Sequence, residues 1–149
     1  MLIAVNAGNS RVLLGGYEED GQVFSASIAT EPKLTRDDYA CKLQQVLLLY
    51  GVNVRRIHGG IVSSVVPSMV GVLEGALRLL GIRDVIEVSS GVKTGLNIRS
   101  EQPRQVGSDR VAAAVAARAK GKLPCVAITL GTATTFTALD GSGALVGSA

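Results

Sequence analysis

One pattern occurs twice in this chain, and it constrains the fold more than anything else in the sequence. IAVNAGNSRVLLGGYEEDGQVFSAS near the start and VAITLGTATTFTALDGSGALVGSA at the end share an order: apolar strand, short glycine loop, apolar strand, polar glycine turn, third strand. Gly8 matches Gly131, and Asn6 matches Thr129. Short glycine connections fold consecutive strands back on one another, so each copy reads as a three-stranded meander, and the repeat implies two lobes of one topology.

Between the copies the periodicity changes to helical. Thr35 can cap a helix with Asp37 and Asp38 in its first turn. Tyr39, Leu43, Val46, Leu47 and Tyr50 then recur on one face until Gly51. IHGGIVSSVV is a buried strand. Pro67 opens a second helix carrying Val70, Leu73, Leu77 and Leu80, closed by Gly81, and DVIEV is a short strand. The polar loop SSGVKTGLNIRSEQPRQVG precedes a third helix from about Ser108 to Lys120. The sequence therefore predicts an α/β first lobe over residues 1–120 and the beginning of a second, incomplete lobe over 121–149. A meander with one bare face and an open edge persists poorly in water. A second chain, or further residues, is expected to cover it.

With 149 residues, 47% of them hydrophobic, the chain can bury a core, which excludes a disordered tail. No apolar run approaches the roughly 18 residues of a membrane span. No charged-then-apolar leader precedes the first strand, and Cys41 and Cys125 lack metal-ligand spacing; both are expected to be small buried apolar residues. These features predict a soluble cytoplasmic protein without a membrane role. A net charge of +3 and the absence of tryptophan argue against nucleic acid as a partner. Basic residues nonetheless gather between Lys93 and Lys122, opposed only by Glu101 and Asp109, which suits either an anionic ligand or a solvated helix face. His58, beside glycines at a strand start, is read as structural, and Ser63 and Ser64 as strand-end hydrogen bonders.

The ordered motifs GNS, SSVVP, GVKTGL, QPRQVGSDR and GTATTF make the whole chain resemble the type III pantothenate kinases. The resemblance implies an α/β, ribonuclease H-like (actin-like ATPase) domain with a mixed sheet, plus the opening three-strand meander of a second similar lobe. It also implies transfer of the γ-phosphoryl group of ATP to pantothenate in coenzyme A synthesis, with a divalent cation such as Mg²⁺ and a monovalent cation, in a dimer. By the same resemblance Gly8, Asn9 and Ser10 form one phosphate loop, with Asn6 at its entry. Gly131, Thr132, Ala133, Thr134 and Thr135 form the other. Gly107, Asp109 and Arg110 line the pantothenate pocket, with Asp109 as general base, and Lys93, Thr94 and Gly95 frame it. Phosphoryl transfer asks chiefly for positioning and charge neutralisation, which glycine and hydroxyl loops supply.

The chain departs from the family pattern where charge matters. Asn6, Thr129 and Thr137 stand where the resemblance leads one to expect acids, and Ser100 where it leads one to expect a pocket tyrosine. An amide or hydroxyl offers Mg²⁺ an oxygen dipole without a charge, so this chain alone is expected to ligate metal poorly. Three readings follow: a degenerate kinase subunit completed by a family-like second chain or a second copy of itself, an ordinary family member that is altered at these positions or cut short, and a non-catalytic nucleotide- or ligand-binding protein derived from the same fold.

Overall fold

A computed structural model of the chain describes residues 1–89, 91–100 and 102–149. Ser90 and Glu101, assigned by the sequence to the loop before the third helix, lie outside the described residues. The chain divides into two compact units, Met1–Glu87 and Val88–Ala149.

The first unit opens with the meander read from the sequence: β1 (Leu2–Ala7), β2 (Arg11–Glu18) and β3 (Gly21–Ala29), all antiparallel neighbours. Helix α1 (Arg36–Leu49), β4 (Gly59–Ser64), α2 (Pro67–Leu79) and β5 (Val85–Glu87) follow. The strands form one mixed sheet in the order β3-β2-β1-β4-β5, with β1, β4 and β5 parallel. Parallel neighbours need a crossover, and α1 and α2 provide it.

Both helices start and stop where the sequence says. Thr35 and Asp38 form a reciprocal capping box at the start of α1. Gly51 and Gly81, at φ +66° and +91°, terminate the helices in a conformation that a side chain resists. One face of the sheet, Ile3, Val5, Ala7, Val12, Leu14 and Val62, is buried in a single cluster with Tyr39, Leu43 and Leu47 of α1 and Met69, Leu73 and Leu77 of α2. Full burial of each large aliphatic side chain contributes on the order of 1.5–3 kcal/mol.

Some periodicity assignments shift by a position. Met69 and Ala76 are buried in α2, whereas Val70 and Leu80 are only half-buried. Tyr50 lies just beyond α1, half exposed, with its ring 5.1 Å from that of Phe24. Cys41, expected inside, is exposed, because its neighbours Tyr39, Ala40 and Leu43 take the inward face of the helix turn. Cys125 is half-buried.

The second unit contains α3 (Ser108–Ala119) and an antiparallel sheet of β6 (Cys125–Leu130), β7 (Thr134–Leu139) and β8 (Leu145–Ser148). The sequence groups α3 with the first 120 residues. In the structure α3 belongs with the second unit, burying Val111 and Ala114 in one cluster with Leu139, Leu145 and Val106. The preceding loop joins the same sheet. Ile98 bridges Leu145, the Leu145 N–H donates to the Asn97 carbonyl at 2.8 Å, and the Arg99 N–H donates to the Leu145 carbonyl at 2.8 Å. No helix among the described residues is long and apolar enough to cross a membrane.

Candidate functional site

The second unit builds a pocket of about 400 Å³ from three segments of chain. The stitched loop delivers Ser100, Gln102, Gln105 and Val106, the end of β8 supplies Val146, Gly147 and Ser148, and the first turn of α3 presents Arg110. The Arg110 guanidinium donates to Ser148 Oγ at 3.2 Å, so a hydroxyl orients the pocket's cation. Ser100 Oγ is buried and has no hydrogen-bond partner. The register pairs Ser148 with Thr137, which is 0% exposed and whose hydroxyl also lacks a partner. Buried hydroxyls without partners are uncommon and costly, so they mark a place suited to a polar ligand. A small acid that also carries hydroxyl or amide groups matches a guanidinium beside Ser100, Gln102 and Gln105.

Of the residues expected to bind or frame pantothenate, Arg110 is in the pocket wall, as is Ser100 at the position of the expected pocket tyrosine. Gly107 is the N-cap position of α3 and supplies no side-chain cap, and Asp109 occupies the first turn, one residue before Arg110. A Cβ at position 107 would come within 2.5 Å of Asp109 Oδ1, so glycine there leaves the carboxylate room. Lys93, Thr94 and Gly95 lie in the irregular segment between β5 and α3, with Gly95 at φ +73°. The Gly95 carbonyl is held by Arg118 from the last turn of α3. Gln102, Gln105 and the end of β8 were not read as site residues, since the sequence gives no sign that Leu145 would draw the loop onto β8. Asp140, as read, belongs to the turn after β7; its Oδ1 accepts from the Ser142 and Ala144 N–H groups.

The two glycine loops connect their hairpins as expected, but their first N–H groups are occupied. Gly8 N–H donates to the Arg11 carbonyl at 2.9 Å, and Gly131 N–H to the Ala133 carbonyl at 3.2 Å. The first loop is further tied to the end of β3, by Thr30 Oγ1 donating to the Gly8 carbonyl at 2.8 Å and Thr30 N–H to the Ser10 carbonyl at 3.0 Å. Asn9 and Ser10 are exposed, as are Thr132, Ala133 and Thr134, while Thr135 is half-buried. Asn6 lies at the carboxyl end of β1 with its Oδ1 buried and without a partner.

Among the described residues no three His, Cys, Asp or Glu side chains gather closely enough to hold a metal ion. With neutral Asn6 and Thr129 at the strand ends, the residues present do not fit a divalent cation held by direct carboxylate ligation. His58 is exposed, with Nδ1 3.2 Å from the Met1 amine.

The family model of type III pantothenate kinases matches residues 2–149. A type III pantothenate kinase from Syntrophotalea carbinolica is 38% identical over the whole chain, and the chain spans 58% of that relative's length. The ethanolamine utilization protein EutJ from Carboxydothermus hydrogenoformans has a similar structure, with a TM-score of 0.57 at 14% identity. That match covers 99% of this chain and 50% of EutJ. YeaZ from Pseudomonas aeruginosa matches with a TM-score of 0.50 at 15% identity, over 99% of this chain and 65% of its own. Such identities carry the fold alone, and the fold is the actin-like, sugar-kinase superfold: a ribonuclease H-like five-stranded mixed sheet followed by a three-strand antiparallel meander.

Proposed function

The chain belongs to the type III pantothenate kinase family, and from that premise we propose that it binds pantothenate in the Arg110 pocket and takes part in its ATP-dependent phosphorylation. The observation that carries the reading is the guanidinium of Arg110, held by Ser148 and lining a pocket of about 400 Å³ beside the uncharged Ser100, Gln102 and Gln105. Pantothenate carries one carboxylate, an amide and two hydroxyls, which is the complement of that lining. The roles of Gly107, of Lys93–Gly95 and of the Gly8 and Gly131 loops follow from the family motifs.

In the reaction, Asp109 takes the proton of the primary hydroxyl as its oxygen bonds to the γ-phosphorus of ATP. The bond from that phosphorus to the bridging oxygen breaks, and ADP leaves. Asp109 stands in the first turn of α3, one residue before Arg110. The loss of negative charge at Asn6, Thr129 and Thr137 supports a slow reaction by this chain alone. It also supports dependence on a second family-like chain, or a second copy, in the cytoplasm. The same substitutions support the second reading, a ligand-binding protein that no longer catalyses.

Calorimetry with pantothenate and with ATP tests the reading. Pantothenate should bind the unaltered protein, and Arg110→Ala should weaken that binding at least tenfold, with Arg110→Lys in between. Absence of heat with both ligands would refute the assignment. Binding without ATP-dependent phosphorylation, even beside a co-purified second chain, would leave the non-catalytic reading.

A further inference from the structure

Ser63, which the sequence marks as a strand-end hydrogen bonder, has a buried Oγ without a hydrogen-bond partner among the described residues, and the residue is only 6% exposed. Its neighbour Ser64 behaves as expected, donating to the Val66 carbonyl at 2.8 Å. The register makes Ser63 the Cα partner of Asn6 across the parallel β1–β4 pair. Registered residues of parallel strands project from the same face. Here it is the face opposite α1 and α2, because Val5 and Val62, one position back on each strand, are in the helix-covered core. Two adjacent side chains on one face therefore both carry buried oxygens without partners, Asn6 Oδ1 and Ser63 Oγ.

Two such groups side by side are costly to keep, and alanine at position 63 would remove one of them at little expense in packing. Their position is also specific. They end adjacent parallel strands, and β1 runs directly into the Gly8 loop; ligands of open α/β sheets bind at the carboxyl ends of such strands. Both groups are uncharged. Asn6 Oδ1 can only accept, and a hydroxyl can accept or donate, so the group that satisfies them brings at least one donor. A ligand hydroxyl, or a water held tightly by a ligand, has that chemistry.

We propose that Asn6 and Ser63 together bind one hydroxyl or firmly held water of a nucleotide, with Ser63 a binding residue in its own right. This rests on the assignment of the Gly8 loop to ATP. The oxygen pair serves as a fixed polar notch at the root of that loop, positioned by the β1–β4 ladder and independent of loop motion.

ATP and inorganic triphosphate are the probes, titrated by calorimetry into the unaltered chain, Asn6→Ala, Ser63→Ala and the double variant, with a melting curve of each protein alone. Ser63→Ala should weaken ATP binding about three- to tenfold and leave the ligand-free melting midpoint unchanged or slightly higher. The double variant should lose little more than the worse single variant, because both side chains meet one group. A loss seen with both probes assigns the group to water carried on the phosphates, and a loss with ATP alone assigns it to the ribose. Unchanged affinity in Ser63→Ala would overturn the proposal, as would losses that multiply in the double variant. If the unaltered chain binds neither probe, the assignment of the Gly8 loop fails along with it; binding that ignores Ser63 sinks the proposal alone.

Discussion

In the first unit Val5 and Leu14 pair across β1 and β2 and are buried beneath α1 and α2. In the second unit the corresponding pair, Ile128 and Phe136 across β6 and β7, is 58% and 45% exposed, and α3 packs on the other side of the sheet against Leu139 and Leu145. The repeated meander is thus covered from opposite faces in its two copies. Both open faces carry exposed apolar side chains. Leu2, Leu13 and Ile61 are exposed on one, Val126, Ile128 and Leu130 on the other, with Leu130 at 82%. Strands of this composition resemble those of sheets covered on both sides, where alternation is weak and either face can serve as core. The neighbouring helices, not the strands, decide which face becomes the interior.

Core truncation should give the largest effect and the hardest test of that contrast. Leu73→Ala or Leu43→Ala, both at 0% exposure in the first unit, should cost about 2–5 kcal/mol in urea unfolding. Leu130→Thr on the open face of the second unit should stay within about 0.5 kcal/mol. A cost at Leu130 approaching that at Leu73 would show that this face is packed in solution and that the contrast is not a property of the protein.

Helix starts differ between the units as well. The capping box at Thr35 closes the N-terminus of α1, with the Asp38 N–H donating to Thr35 Oγ1 and the Thr35 N–H donating to Asp38 Oδ2 at 2.9 Å. Helix α3 begins at Gly107 without a side-chain cap, at the turn that carries Asp109 and Arg110. Thr35→Ala should therefore lower stability by about 1 kcal/mol and leave pantothenate binding unaltered, measured by chemical unfolding and calorimetry on the same samples.

Much of this arrangement is legible in the sequence because it is written in local chemistry. Thr35, Pro67, Gly51 and Gly81 mark helix boundaries through capping and backbone conformation, which need no tertiary information, and the glycine loops fix the hairpins similarly. The site is less legible. Arg110 is identified by its motif, but the pocket wall depends on Leu145 accepting residues 97–99 as an added ladder, a long-range pairing with no local signal. The membership of α3 is hidden for a related reason. Val111 and Ala114 would suit either sheet, and their spacing does not say which one they cover. Ser63 looks like its neighbour Ser64 in sequence, and only the strand register sets it beside Asn6.

The smallest expected effect concerns one acid in each unit. Asp38 is held below the usual aspartate range chiefly by the Thr35 hydroxyl, then by the Thr35 N–H. Asp140 is lowered first by the Ser142 hydroxyl, then by the Ala144 N–H, with Arg99 at 3.7 Å adding a weaker attraction. A carboxyl with a depressed folded-state pKa stabilises the fold at any pH above its unfolded value, about 3.9. That contribution is lost as the pH falls through the folded-state value. Both groups are solvated, so each loss is slight, and both appear only in acid. Melting midpoints should therefore be flat in this respect from pH 7 to about 5 and decline below about 4. Asp38→Asn should remove the part that belongs to the α1 cap, and Asp140→Asn the part that belongs to the β7–β8 turn. Amide exchange resolved by residue separates the two: acid should quicken exchange at Asp38 N–H in the first unit and at Ser142 and Ala144 N–H in the second. An Asp140→Asn variant that kept the full acid response of the Ser142 and Ala144 amides would show that the turn is held by its backbone alone.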